Sequence, residues 1–475
     1  MEHAIPLVVD LDGTLLRSDL LVESGLAYVG AKPWLSFSPI KWLFSGRAHL
    51  KANLAKSAPI DVTTLPYDPE VIVLIKEEKA KGRPIILATG SHKIYADQIA
   101  NHLQLFDRVL ATEAGTNLSA HNKRDMLVQE YGEQGFDYVG NSRADLPVWA
   151  AARLAYLVNP ELGVESSANA LGNVERVIRV QHSKLHSWMT ALRFHQWIKN
   201  LLIFIPLLAS HQLDNPSLLL TGLLAYILFG FCASSVYLLN DLLDLADDRY
   251  HPKKRCRPFA AGDLSVKAGV LVFPLLLMLA FSGAILLMPW YFTVTLAIYY
   301  LLTLAYSFAL KKVMILDVII LAMLYTLRII AGALAFNMLP TFWMLAFSMF
   351  IFLSLALVKR YAELLEAKNK GETTKTPGRG YYPNDLEMIA SLGASSGYLS
   401  VMVLALYIQD QSTINLYQHP AILWLGCPLL LFWISRIWLL AHRGQMHEDP
   451  IVFAIKDKTS LILGVLFCII FGLAV

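Results

Sequence analysis

The sequence predicts an α/β domain over residues 1–185 followed by an all-α membrane domain of nine transmembrane helices over 190–475. Three observations predict it. Hydrophobic residues make up 56% of the 475 residues and mean hydropathy is +0.48, a composition typical of integral membrane proteins. The apolar excess is confined to the second part, where runs approach the roughly 20 residues that a helix needs to cross a bilayer. The first part alternates short apolar runs ending in polar residues with helical stretches, the pattern of a parallel α/β unit.

In the first part, LVVDLDGTLL at 7–16 reads as a strand that ends in Asp10 and Asp12 at a glycine turn. RPIILATGS at 83–91 is a second strand, ending in Thr89, Gly90 and Ser91, and FDYVGNSRAD at 136–145 a third. Helical stretches at 71–81 and 91–104 intervene. Ligands of such units gather at the carboxyl ends of the strands, so the polar residues there are the candidate reagents.

This set, a DxDGT strand end followed by a strand-borne threonine, a lysine and a late acidic loop, resembles the haloacid dehalogenase-like phosphohydrolase superfamily over roughly residues 1–180. The resemblance implies a Rossmann-like fold with Asp10 as the nucleophile that takes the phosphoryl group of a phosphate ester. It implies Asp12 as acid/base, Thr89 as hydrogen-bonder to the phosphate, Lys123 as positive clamp, and Mg²⁺ held among Asp10, Asp12, Asn141 and Asp145. The set is chemically coherent: a carboxylate attacks phosphorus only when cations neutralise the phosphate, and a second carboxyl protonates the leaving oxygen. The family's last motif begins Gly-Asp, whereas this chain has Gly140-Asn141. An asparagine coordinates through a neutral carbonyl, so weaker metal affinity is expected. The 14–65 insertion is expected to be a small substrate-selecting cap, part of which could touch the membrane.

In the second part, apolar runs fall at 199–213, 217–239, 268–288, 291–309, 314–336, 341–358, 387–408, 421–440 and 459–474. The 240–267 and 359–386 loops carry six Lys/Arg each, Lys311 and Lys312 form another basic loop, and Arg443, Lys456 and Lys458 lie in the last. The alternate loops at 214–216, 289–290, 337–340 and 409–420 carry none. That is a positive-inside pattern. The terminal MEHAIPLVVDLDG lacks the features of a secretory signal. The expectation is a multi-pass protein of the inner or plasma membrane with the first domain and both candidate sites cytoplasmic. A net charge of +3 without a Lys/Arg tract gives no nucleic-acid footprint, and the four cysteines have neither disulfide-framework nor metal spacing.

The run NDLLDLADDRYHPKKRCRP at 240–258 is the densest mixture of charges in the membrane part. If the preceding helix continues, Asn240, Asp244 and Asp248 recur every four residues on one face, with Asp241 beside them. Aligned oxygen ligands repel one another unless a hard cation lies between them, which suits Mg²⁺ on a diphosphate. Lys253, Lys254, Arg255 and Arg257 can neutralise the remaining phosphate charge. Arg328 lies well inside an apolar span, where an arginine faces a cavity or a partner; an anionic ligand and an ion pair with Asp317 are both open.

The motif resembles NDxxDxxxD of the ubiquinone-biosynthesis (UbiA) prenyltransferase superfamily, across about 190–475. That family carries a second aspartate-rich loop, whereas YSFALKKVMILDVIILAMLYTLRIIAG at 306–332 contains only Asp317 as an acid. RFHQWIKN at 193–200, KRYAELL at 359–365 and RGYY at 379–382 make the chain look like the decaprenyl-phosphate phosphoribosyltransferase branch. The resemblance implies transfer of 5-phosphoribose from phosphoribosyl diphosphate to a polyprenyl phosphate, with Mg²⁺ drawing off the diphosphate. Basic residues must then hold two anionic reactants together; the candidates are Lys199, Lys254, Arg255, Arg257, Lys311, Lys312, Arg328, Lys359 and Arg360, with Tyr361 and Glu363 positioning ribose hydroxyls. The fused phosphatase would remove the 5-phosphate of the product. Prenyl transfer from a polyprenyl diphosphate to a small acceptor, and a non-enzymatic transporter or scaffold, are the alternative classes; oligomeric state is not readable.

Overall fold

The computed structural model describes residues 5–474 apart from 33, 35, 36, 114–117, 119, 180–182, 372, 375–378, 415, 447 and 448. The chain forms two units: Met1–Leu192 together with Tyr237–Pro274, and Arg193–Val236 together with Leu275–Val475. The acidic-basic run at 240–258 therefore folds with the α/β domain.

In the first unit, strands β1 (Leu7–Val9), β2 (Ile85–His92), β3 (Arg108–Thr112), β4 (Asp137–Gly140), β5 (Ala155–Val158) and β6 (Val174–Ile178) form one parallel sheet in the order β3-β2-β1-β4-β5-β6. Leu7, Val9, Leu87 and Val139 pack on one face, and Val8, Ile86, Ala88 and Tyr138 on the other. Burial on both faces explains why these strands read as unbroken apolar runs. The chain winds one way from β1 to β3 and then returns to add β4, so the crevice where ligands bind lies at the carboxyl ends of β1 and β4.

Helices α1 (Leu20–Ala31), α2 (Ser38–Phe44) and α3 (Arg47–Ser57) occupy the insertion after β1. They are followed by α4 (Pro69–Ala80), α5 (Lys93–Leu103), α6 (His121–Tyr131), α7 (Leu146–Ala151), α8 (Val164–Asn169) and α9 (Lys184–Ala191). Asp68 caps α4 by accepting from the Glu70 and Val71 N–H groups, with Pro69 at the first helical position, a strong start signal.

Beyond Leu192 come a 3₁₀ stretch at Phe194–Phe204 and α10 (Ile205–Ala209), then α11 (Pro216–Leu243), α12 (Leu245–Tyr250), α13 (Val266–Leu287) and α14 (Trp290–Phe308). The remaining helices are α15 (Leu316–Ala335), α16 (Phe342–Asn369), α17 (Leu386–Gln409), α18 (Gln411–Ile414), α19 (Gly426–His442), α20 (Pro450–Lys456) and α21 (Lys458–Ala474). Among the described residues, seven helices are long and apolar enough to span a membrane, and eight if α20 and α21, bent by 83°, make one span. This corrects the expected nine. The expected first span, 199–213, falls largely on the short apolar segment Phe194–Ala209, broken into 3₁₀ and α pieces with Pro206 at the junction and Lys199 and Asn200 buried along it. The segment's 16 residues fall short of a full crossing helix.

Candidate phosphate-handling sites

Asp10 and Asp12 follow β1, Thr89 lies in β2, Lys123 projects from α6, and Asn141 and Asp145 follow β4. The parallel sheet brings these distant segments together. Lys123 Nζ donates to Asp10 Oδ1 at 2.7 Å and to the Tyr138 hydroxyl at 2.9 Å, and Tyr138 donates to Asp145 Oδ1 at 2.8 Å. Asp145 Oδ2 accepts from the Asn141 N–H, the Ser142 N–H and the Ser142 hydroxyl. Asp12 accepts from the Leu20 N–H at 2.9 Å and the Ser91 hydroxyl at 2.6 Å. Thr89 is fully buried and accepts from the Ser91 N–H at 2.9 Å. Gly13 has φ +78°, and a Cβ there would lie 2.3 Å from Asn141 Nδ2, so only glycine lets the β1 turn close on the β4 loop.

Burial raises the pKa of Asp10, and Asp145 and Asp12 push it the same way against the opposing Lys123. Burial alone would lower Lys123, but Asp10 and Asp145 outweigh it and leave the ammonium raised. Asp12 is pushed up to about 6, first by burial and then by Asp19; the Leu20 N–H, Ser91 hydroxyl and Lys267 pull against that rise. The arrangement is a buried carboxylate against a held ammonium, beside a second carboxyl with enough proton affinity to act as an acid.

The acidic-basic run keeps its helical register: the Asp244 N–H bonds the Asn240 carbonyl at 2.9 Å and the Asp248 N–H the Asp244 carbonyl at 2.8 Å. The side chains that come together are Asp241 and Asp248, which share Arg257 Nη1 at 3.1 and 2.7 Å. Lys254 Nζ is 3.9 Å from Asp248 Oδ1, and Lys254 and Arg255 are exposed. Burial raises the pKa of Asp248, and Arg257 opposes it.

Among the described residues, no group of three or more His, Cys, Asp or Glu side chains is arranged to hold a metal ion. Mg²⁺ keeps several waters and takes one or two carboxylates plus substrate phosphate, so the oxygen donors present still suit it. Asp241 and Asp248 already hold a cationic guanidinium between them.

In the second unit, Lys199 Nζ is 2.7 Å from Asp449 Oδ2, Lys359 Nζ is 3.5 Å from the same oxygen, and Tyr325 donates to it at 3.0 Å. Arg328 is not paired with Asp317. It donates to Asn200 Oδ1, the Leu324 carbonyl and the Tyr299 hydroxyl, and it lies over the rings of Phe229, Tyr299 and Tyr325. Arg360 instead meets Asp317 at 2.7 Å, the two side chains being 1% and 0% exposed. It also pairs with Glu363, which is therefore engaged with an arginine. Tyr361 hydrogen-bonds His442 Nδ1 at 3.0 Å. Lys311 and Lys312 lie on a 3₁₀ turn, half-buried and exposed respectively.

The sequence reading did not single out Tyr138, the Ser91 hydroxyl's role or Asp449. Tyr138 was in view within the third strand; Asp449-Pro450 is a helix-start signal that says nothing of a lysine 250 positions away.

Fold and sites thus define a chain with seven or eight helices long and apolar enough to span a membrane among the described residues, together with a parallel α/β unit that gathers carboxylates and a buried lysine at its strand ends. Residues 201–462 match the UbiA prenyltransferase family and residues 7–149 the haloacid dehalogenase-like hydrolases. The chain belongs to the UbiA prenyltransferase family, with a haloacid dehalogenase-like hydrolase domain preceding that region. It is 38% identical to the uncharacterized protein y4nM of Sinorhizobium fredii, over 100% of this chain and 92% of that protein. It is 30% identical to the decaprenyl-phosphate phosphoribosyltransferase of Mycolicibacterium smegmatis, over 58% of this chain and 87% of that protein. A UbiA homologue of Archaeoglobus fulgidus solved with DMAPP and Mg²⁺ superposes with a TM-score of 0.46 at 16% identity, covering 61% of this chain and 99% of that one.

Proposed function

We propose that the membrane part transfers 5-phosphoribose from phosphoribosyl diphosphate to a polyprenyl phosphate, and that the phosphohydrolase domain then removes the 5-phosphate of the lipid-linked product. The observation that carries the transfer is Arg328, 4% exposed, whose hydrogen-bond partners among the described residues are all neutral. A buried cation without a carboxylate partner suits an anionic reactant. Lys199 and Lys359, gathered on Asp449, supply further positive charge.

In the transfer, an oxygen of the lipid phosphate attacks the anomeric carbon of the ribose, the carbon–oxygen bond to the diphosphate breaks, and the diphosphate departs. In the hydrolysis, Asp10 attacks the 5-phosphorus and the ester P–O bond breaks, with Asp12 giving its proton to the ribose oxygen. Asp12 then deprotonates the water that cleaves the aspartyl-phosphate, releasing inorganic phosphate. Lys123 and Thr89 hold the phosphoryl oxygens in this reading. Mg²⁺ would be held by Asp10, Asp145 and Asn141 in one site and, in the other, by Asn240, Asp241, Asp244 and Asp248 in exchange for the Arg257 guanidinium that Asp241 and Asp248 share; it would supply neutralisation of phosphate charge. Both sites work on the cytoplasmic face in this reading, which the positive-inside distribution of loop Lys and Arg supports.

The test uses detergent-solubilised full chain with Mg²⁺, polyprenyl phosphate and phosphoribosyl diphosphate, with lipid products weighed for wild type and Asp10→Asn. Ribosyl lipid from wild type and phosphoribosyl lipid from the variant are expected. No ribosylated lipid from either would sink the donor assignment. It would favour prenyl transfer from a polyprenyl diphosphate, the second reading, which the family match supports.

A further inference from the structure

We propose that Lys267 reads a second phosphate on the substrate of the phosphohydrolase site, so that the site selects a phosphomonoester whose alcohol portion carries another phosphate. The inference rests on the phosphatase reading above. Lys267 lies in the first turn of α13, more than a hundred residues beyond the hydrolase-like region at 7–149. Its Nζ is nevertheless 2.6 Å from Asp19 Oδ2. Asp19 caps α1, and the N–H of the next residue, Leu20, is the one that binds Asp12.

A cation beside the acid that protonates the leaving oxygen stands on the leaving-group side of the reaction. Any anion it meets belongs to the alcohol that departs, not to the phosphoryl group bound at Asp10. Lys123 is already committed to Asp10 and Tyr138. Lys267 has three donors and its side chain is 61% exposed, so the pair with Asp19 leaves room for a second partner.

The helix that carries Lys267 adds the second half of the argument. α13 is long and apolar enough to span a membrane, and most of its apolar stretch is exposed. Leu271, one turn on and on the same face, is 71% exposed. An ammonium at the head of an apolar helix with an exposed face is placed for a phosphate that joins a sugar to a lipid chain.

The test compares ribose 5-phosphate with ribose 1,5-bisphosphate as soluble probes of the full chain. Wild type is expected to prefer the bisphosphate in kcat/KM by about tenfold, the scale of one charge-assisted contact. Lys267→Met should reduce that preference to near one through KM, and Lys267→Arg should retain most of it. Asp19→Asn breaks the same ion pair while keeping both the cation and a good helix cap, and should keep the preference. Equal loss of preference in Asp19→Asn and Lys267→Met would make the pair merely structural and overturn the proposal. Turnover of both probes without preference by wild type would overturn the subsite alone, whereas no turnover of either would overturn the phosphatase reading with it.

Discussion

At the scale of single residues, two buried ion clusters in the membrane part have different consequences. Arg360 and Asp317 neutralise each other almost without solvent contact, and Tyr381 adds a 2.5 Å bond to the same carboxylate. Removing one partner strands a buried charge, so Arg360→Met should cost about 3–5 kcal/mol of stability, and pairing it with Asp317→Leu should restore much of that. Thermal unfolding in one detergent checks it; an Arg360→Met protein as stable as wild type would show the pair to be dispensable. Asp449 instead gathers Lys199 and Lys359, so Asp449→Asn should reduce the proposed ribosyl transfer at least tenfold. Ribose 5-phosphate hydrolysis in the same preparation reports whether the other unit is intact. Asp10, Asp12 and Asp145 are legible as candidates because they fall in short motifs just after strands, whereas Lys123 lies on α6 and is reached only through the resemblance. Asp449 is not legible, because its role is set by lysines remote in sequence, and Arg360 reads as ligand-facing because a motif does not disclose that Asp317 is its neighbour.

At the scale of elements, α16 and α17 pack through small residues, as membrane helices do. Ser354 donates to the Gly393 carbonyl at 2.7 Å and receives the Trp438 indole N–H at 3.1 Å. A Cβ on Gly393 would lie 2.0 Å from the Trp438 ring and 3.0 Å from Leu357 Cβ, and one on Gly397 2.6 Å from Ile434. Gly393→Ala should therefore destabilise by about 1–3 kcal/mol, seen as a lower unfolding midpoint, with a smaller loss expected in a Gly393→Ala/Trp438→Phe protein. Such small-residue contacts are visible in sequence only as scattered glycines. Hydropathy located most spans correctly, but it counts apolar residues and does not register how the backbone is broken. It therefore counts 199–213 as a span where the structure has the broken apolar segment Phe194–Ala209, and it does not register the 83° bend between α20 and α21. Asp457, between those helices, accepts from the Ser460 N–H and pairs with Arg436, which caps the new helix where the old one stops.

At the scale of the whole molecule, the sequence suggests two domains in series, whereas the segment 237–274 folds with the α/β domain. The join is chemical as well as topological. Glu23 of α1 and Arg249 of α12 form a two-pronged pair at 2.6 and 2.8 Å, each side chain 5% exposed, and Arg249 directly follows Asp248. Gly262, at φ +76°, leaves no room for a Cβ against Arg17 and Pro66, so the loop after the acidic run sits on the chain just beyond the DxDGT turn. Buried charges at such a junction hold only while both partners remain, because each would otherwise be stranded without water. Glu23→Gln should loosen the 249–263 segment from the α/β domain, exposing backbone between Arg249 and Lys267 to faster hydrogen exchange and proteolysis. If this packing serves the handoff between the two proposed reactions, phosphoribosyl lipid should accumulate transiently in Glu23→Gln during the coupled reaction. Ribose 5-phosphate added directly should still be hydrolysed, since Glu23 lies outside the Asp10 set. A faster-exchanging segment with no accumulation would mean that the product reaches the phosphatase by free diffusion in the membrane, and that the junction serves stability rather than transfer.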